Sequence, residues 1–298
     1  MNRVKMSIRM RKEALFAYAC ITPLICGLLF LVILPIILVV VVSLMKWSAI
    51  GTPRFIGLTN YIRMFNDGFI YKSLRVTIYY ATGSIISSLT YALLLALFLN
   101  MKVPGRTVFR SIFFLPYVIP SVASALIWMW VFNVDFGLLN YGLGLIGLPK
   151  SLWVFGEKTA VPSMFIMSMW VSGNYIIIFL AGLQDVPRSL LEAVEIDGGN
   201  AWHKFRSVTL PMISPVVFYN FLMGMISNLQ NFNSAYIMTS GGPNDATLFT
   251  VFYLVREAFK RSNFGYACSI AVVFFALIVI LTAFVFKIAN RFVYYEGR

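Results

Sequence analysis

Within one long apolar stretch, Asn220, Gly224, Ser227, Asn228 and Asn231 recur at helical spacing and fall on one face. Amides and hydroxyls exchange hydrogen bonds without moving charge. In lipid each is costly unless it finds a partner. Such a face either ties helices together, each bond being worth about 0.6 kcal/mol, or lines a hydrated path for a hydroxyl-rich ligand. A second set, Ser163, Met167, Trp170 and Asn174, has the same spacing. Trp170 could stack on a ring and Asn174 bond a hydroxyl, while core packing accounts better for Met167 and at least equally for Trp170.

A third group is charged and compact. From Gln184 to Pro211, Pro187 reads as the first residue of a short helix ending at Ile196, and Asp197-Gly198 as its stop. Asn200 caps a second helix from Ala201 to about Val208. Ala201, Phe205 and Val208 form an apolar stripe bordered by Trp202. That stripe either packs on its own bundle or docks into a partner's groove.

Other chemistry is missing from the pattern. His203 is the sole histidine, so no histidine metal cluster is expected, and it reads as a solvated residue. Gly142-Leu143-Gly144-Leu145-Ile146-Gly147 has dinucleotide-loop spacing without a preceding strand or a following acid. No phosphate-binding Gly-Lys-Ser/Thr loop occurs, and no local motif supports Ser–His–Asp or Cys–His catalysis. Catalytic and metal residues are therefore expected to be none. Cys20, Cys26 and Cys268 lack metal or redox spacing and read as small core residues.

The elements that position these groups follow from composition. Of 298 residues, 60% are hydrophobic and 12% charged, which excludes a soluble enzyme, a disordered tail and a coiled coil. Six stretches are long enough to cross a bilayer: Tyr18–Met45, Thr77–Asn100, Ser111–Phe132, Ala160–Leu183, Val216–Met238 and Tyr266–Phe286. The first is too long for a signal-peptide core. None contains Asp, Glu, Lys, Arg or His, which argues against a self-sufficient secondary carrier and a membrane-embedded enzyme. Pro23, Pro35, Pro116, Pro120 and Pro162 fit bent helices around a cavity and equally ordinary membrane-helix usage.

The net charge of +13 sits between the apolar runs, so it reads as topology and lipid contact, not nucleic acid. The N-terminus, the loops near 101–110 and 184–210 and the C-terminus hold over half of the 24 Lys and Arg in the shorter share of loop. Both termini are therefore expected in the cytoplasm. The fold class is an all-α integral membrane protein of six transmembrane helices with a cytoplasmic helix–turn–helix. Its organisation is an N-terminal segment 1–17, a membrane domain 18–290 containing the loop 184–215, and a tail 291–298.

Glu192-Ala193-Val194, Asp197-Gly198, Phe205, Leu210-Pro211 and Pro215 resemble the EAA loop of permeases from binding-protein-dependent ABC importers. Val194 departs from it where Ala is usual, and Gly199 where Ala is frequent. Gly57-Leu58-Thr59-Asn60-Tyr61, Arg110-Ser111-Ile112-Phe113-Phe114-Leu115-Pro116, Thr239-Ser240-Gly241-Gly242-Pro243 and Gly265-Tyr266-Ala267 resemble segments of the maltose- and lactose-type carbohydrate branch.

The resemblance implies a type I importer permease fold in the bacterial cytoplasmic membrane. Glu192, Ala193, Asp197, Gly198, Phe205, Leu210 and Pro211 would couple to the ATPase. Asn228 and Asn231, then Gly224, Ser227, Asn220, Asn174 and Trp170, would line the sugar path. The implied partners are a second permease subunit forming a heterodimer, two ABC ATPase subunits and an extracytoplasmic solute-binding protein, besides membrane lipid. ATP and magnesium would sit on the partner ATPase, with no cofactor on this chain. A glycerol-3-phosphate permease is the alternative, with Arg75, Arg110 and Arg256 near span ends.

Overall fold

The computed structural model describes residues 8–101 and 104–289; the outer parts of the expected cytoplasmic termini, 1–7 and 290–298, lie outside the described residues. The chain up to Asn66, with Leu254–Val273, forms one compact unit; Asp67–Tyr253, with the chain from Phe274, forms another.

The first unit opens with α1 (Ile8–Gly27), a π-helical stretch at Leu28–Ile33 and α2 (Leu34–Ser43). Pro23 and Pro35 are accommodated within it, the wide π turn lying between them. Its most apolar window is unburied. Cys20 and Cys26 are therefore exposed rather than core residues, because among the described residues no element covers that part of α1; Cys268 is half-buried. A hairpin of β1 (Met45–Lys46) and β2 (Arg54–Phe55) leads to α3 (Thr59–Phe65).

Two of the sequence motifs meet in this unit. The Asn60 amide donates to the Ser43 and Met45 carbonyls at 2.8 and 3.0 Å, which satisfies the end of α2. Gly265 N donates to the Trp47 carbonyl at 3.2 Å, and a Cβ on Gly265 would collide with the Met45 carbonyl oxygen. Fully buried Glu257 is paired with Arg261 and lies 3.7 Å from Arg63, whose guanidinium sits 4.0 Å over the Tyr266 ring.

The second unit is built on α4 (Gly68–Asn100), which starts well before the expected Thr77. The Asp67 carboxylate caps it, accepting from Phe69 N at 2.9 Å, so Lys72 and Arg75 occupy the first two turns. Its inward seam is made of small residues, Ser73, Thr77, Ala81, Ser84, Ser88, Ala92 and Ala96, which admit neighbouring backbones closely.

The next elements are α5 (Arg106–Val118), α6 (Ser121–Val131), α7 (Leu138–Leu145), α8 (Ala160–Trp170) and α9 (Gly173–Gln184). The expected span Ser111–Phe132 is bent by 102° between α5 and α6. Pro120 removes an amide donor and forces Ile119 into extended backbone. α8 and α9 meet at 50° across Val171–Ser172. The Gly142–Gly147 run lies on α7 and its C-terminal turn, not between a strand and a helix. The buried Asn140 side chain gathers Val134, Ser151 and Trp153 around it.

The chain continues through α10 (Arg188–Ile196), α11 (Ala201–Lys204), a π turn at Phe205–Thr209, α12 (Leu210–Met212) and α13 (Ser214–Leu229). Pro187 is the N-cap of α10, one position before the helix, since its backbone is extended. The expected span Val216–Met238 is broken: α13 ends at Leu229, the chain leaves helical geometry near Asn231 and Phe232, and a π turn follows at Ala235–Thr239. The last elements are α14 (Thr250–Val255) and α15 (Phe264–Ala289). Among the described residues three helices are long and apolar enough to cross a bilayer, and up to six if each bent pair is one span.

Candidate functional site: a polar cavity and a helix–turn–helix

Three helix breaks converge on one cavity of about 580 Å³ in the second unit. Ile119 and Ser121 flank the first, Val171 and Ser172 the second, and Gln230 to Ser234 form the third. Interrupted backbone at membrane depth is tolerated where it lines a cavity, because its freed amides and carbonyls need partners there.

The lining is rich in hydroxyls and amides. Ser84 donates to Asn228 Oδ1 at 2.9 Å, and Asn228 Nδ2 donates to the Gly224 carbonyl at 2.8 Å. Asn231 Nδ2 donates to Tyr80 Oη at 2.7 Å, and Asn233 Nδ2 to Ser121 Oγ at 2.8 Å. Tyr117, Tyr175 and Phe232 add aromatic faces. None of the lining residues, all among the described ones, is Asp, Glu, Lys, Arg or His.

Of the path residues expected from sequence, Asn174, Ser227, Asn228 and Asn231 line this cavity, and Gly224, Asn220 and Trp170 do not. A Cβ on Gly224 would approach Tyr175 Oη at 2.9 Å, so this glycine brings α13 against α9. Asn220 is fully buried, its Nδ2 3.4 Å from the Tyr175 carbonyl, and serves helix packing. Trp170 packs edge-on against Trp128, with centroids 5.9 Å apart. Trp170 and Asn174 would share a face on a continuous helix, and the bend between α8 and α9 separates them. Met167 lines the cavity.

Sequence reasoning did not pick out Tyr80, Ser84 and Ser88 on α4, Ser168 and Ser172, or Gln230 and Asn233. The available signal was the recurrence of Ser73, Thr77, Ser84 and Ser88 along one helical face of an apolar run.

The second part of the site is the helix–turn–helix formed by α10, α11 and the following π turn. Gly198 adopts φ +78°, which stops α10 and reverses the chain. Asn200 Oδ1 accepts from His203 N at 3.0 Å, capping α11. Lys204 Nζ lies 2.7 Å from Glu195 Oε2 across the turn. Glu192, Ala193, Asp197 and Gly198 are exposed, as is Ile196 at 86%. Part of the apolar stripe packs on its own bundle. Val208 packs on the bundle, while Trp202, stacked on Phe205 at 5.7 Å, stays 64% exposed.

The two departures from the family pattern touch each other. A Cβ on Gly199 would meet Val194 Cγ1 at 2.5 Å and the Val194 carbonyl oxygen at 2.8 Å. Gly199 N donates to that same carbonyl at 2.8 Å, which closes the turn.

Two helices link the element to the cavity. α9 places Asn174 and Tyr175, near its start, in the lining and ends at Gln184, about 15 Å beyond Asn174 along its axis. α13 runs from Ser214, just after the helix–turn–helix segment, to the cavity residues Ser227 and Asn228. They are joined by a core of Ile176, Phe179, Leu180, Leu183 and Ile213, with Val216 and Val217 against it. Leu210 and Pro211 lie just before the 64° bend at Ile213.

Residues 88–294 match the family described as binding-protein-dependent transport system inner membrane component. The chain is 35% identical over 302 residues to the probable ABC transporter permease protein YesP of Bacillus subtilis (strain 168), covering 100% of this chain and 97% of that one. It is 30% identical over 281 residues to the trehalose/maltose transport system permease protein MalF of Thermococcus litoralis, covering 94% and 95%. The fold matches a chain in the crystal structure of a bacterial alginate ABC transporter in complex with an alginate pentasaccharide-bound periplasmic protein. The TM-score is 0.82 at 19% identity, over 94% of this chain and 96% of that one.

Proposed function

Because this chain belongs to the family of binding-protein-dependent transport system inner membrane components, we propose that it passes an uncharged sugar or short oligosaccharide through the cavity bounded by Tyr80, Asn228 and Asn231. The observation that carries the substrate class is the lining itself. Hydroxyls and amides both donate and accept, as sugar hydroxyls do. Aromatic faces suit the C–H surface of a pyranose. A phosphate would call for basic groups, and Arg75, Arg110 and Arg256 are all absent from the lining, which favours the sugar over the glycerol-3-phosphate reading.

The power source lies in other chains in this reading. A solute-binding protein delivers the sugar, a second permease subunit completes the pathway, and two ATPase subunits hold ATP and magnesium. Both termini and the helix–turn–helix face the cytoplasm. Glu192, Ala193, Asp197 and Gly198 sit in the ATPase cleft, and Phe205, Leu210 and Pro211 transmit its closure to α13. The exposure of Ile196 and Trp202 beside the turn supports a docked partner there. Rigid α9 and α13 then carry the displacement to the cavity wall.

The test is binding-protein-stimulated ATPase activity and uptake by the assembled transporter, across neutral oligosaccharides, uronate-containing oligosaccharides and glycerol 3-phosphate. Stimulation by a neutral member alone is expected. Stimulation only by an anionic one would overturn the substrate class.

A further inference from the structure

Three amides of the cavity are held by the wall itself. Asn228 is engaged at both ends, by Ser84 and by the Gly224 carbonyl. Asn231 uses both amide hydrogens, on Tyr80 Oη and on Ser234 Oγ, and its Oδ1 accepts from Ser234 N. Asn233 donates to Ser121.

Three other lining side chains are not held in this way. Ser124 lines the cavity and is only 1% exposed, yet its Oγ has no hydrogen-bond partner among the described residues. Burying a hydroxyl unbonded costs free energy, which a ligand oxygen in the cavity would recover. Asn174 and Gln230 also line the cavity, and neither side-chain amide makes a hydrogen bond among the described residues.

Each of these three sits beside a different helix break. Ser124 is on the first turn of α6, Asn174 is on the first turn of α9, and Gln230 is the C-cap of α13. Three helices thus each present one uncommitted polar side chain to the same space. A hydroxyl donates and accepts. A primary amide sets a donor and an acceptor side by side, which matches two neighbouring sugar hydroxyls.

We propose that Ser124, Asn174 and Gln230 read the sugar, while Asn228 and Asn231 hold the wall. Ser124 takes one hydroxyl, and each amide takes a vicinal hydroxyl pair. The proposal rests on the sugar-transport reading of this cavity. It reassigns the contacts expected from the shared face of α13, because Asn231 has no amide hydrogen left for a ligand. Contacts from three helices fix both the position and the face of a sugar ring. The site therefore distinguishes the configuration of individual hydroxyls.

The experiment is uptake by the assembled transporter in proteoliposomes, with one solute-binding protein throughout, so that its own selectivity is common to every variant. The probes are disaccharides of glucose, galactose, xylose, arabinose and rhamnose, then the monodeoxy analogues of the one taken up most efficiently. Each variant is scored by its preference for the parent over each analogue, at equal amounts of assembled transporter. Ser124→Ala, Asn174→Ala and Gln230→Ala should each lower that preference about two- to tenfold, the worth of one neutral hydrogen bond, and each at a different hydroxyl. Asn231→Ala should slow the parent and all its analogues by a common factor. Unchanged preferences in the first three variants would overturn the proposal, as would a selective loss in Asn231→Ala alone. A raised melting temperature of Ser124→Ala with an unchanged preference would count against it too, marking that hydroxyl as a packing group. No uptake of any probe by wild type would count against the transport reading itself, whereas uptake with unchanged preferences would count only against this one.

Discussion

Asn231 Nδ2 donates a 2.7 Å hydrogen bond to Tyr80 Oη and so pins the broken end of α13 to the middle of α4. Asn231 also contacts Ser234 through both its Nδ2 and its Oδ1, at 3.2 and 3.3 Å. One side chain thus satisfies the unwound backbone and shapes the cavity wall. Asn231→Ala should raise the KM for uptake and lower its maximal rate. Tyr80→Phe should have a smaller effect, because Asn231 keeps its contacts to Ser234. A double-mutant cycle should return a coupling of about 0.5–1.5 kcal/mol. Additive effects would show that the bond is not shared.

Asn228 is held at both ends, by Ser84 and by the Gly224 carbonyl. Asn228→Asp keeps the shape, removes the donor to Gly224 and adds the only charge in the lining. Uptake of a neutral sugar should fall at least about tenfold, in keeping with the cost of an uncompensated charge in an enclosed site. Membrane insertion, read by surface labelling, should be unchanged. Full uptake by this variant would show that the cavity is not on the path.

Gly198 at φ +78° and exposed Glu192 carry the coupling reading. Gly198→Arg or Glu192→Lys should leave the chain in the membrane while separating ATP hydrolysis from uptake. The measurement is the ratio of sugar transported to ATP hydrolysed, and a wild-type ratio in both variants would refute the assignment.

The contact between Val194 and Gly199 predicts compensation. Gly199→Ala should destabilise the turn, because its new Cβ meets both the Val194 side chain and carbonyl. Adding Val194→Ala removes the shorter contact and should recover part of the coupled activity. Uptake of the double variant against Gly199→Ala alone is the comparison, and no recovery would place the whole effect on the carbonyl.

Asn140 is buried and bonds Val134 O, Ser151 N and O, and Trp153 Nε1. Asn140→Ala strands these groups, at about 1–3 kcal/mol for each one left dry. Residues 133–156 should then become the first site of limited proteolysis, with the rest of the chain protected. An unchanged cleavage pattern would contradict the bracing role.

What sequence determined by itself was local. Apolar run length marked the membrane segments. Asn200 and Gly198 bounded the helix–turn–helix closely, because a cap and a left-handed turn are set by a few neighbouring residues. The amide face of α13 was equally legible, yet its meaning was not. Asn228 and Asn231 reach the cavity, while Asn220, two turns earlier, is buried in packing against Tyr175. Only the tertiary structure decided this. The bends at Pro120, Ser172 and Gln230 reorient each face, and the partners Tyr80 and Ser84 lie more than 140 residues away in sequence. Helical periodicity says which residues share a face; it does not say what that face meets, because bend and rotation are fixed by packing between distant segments.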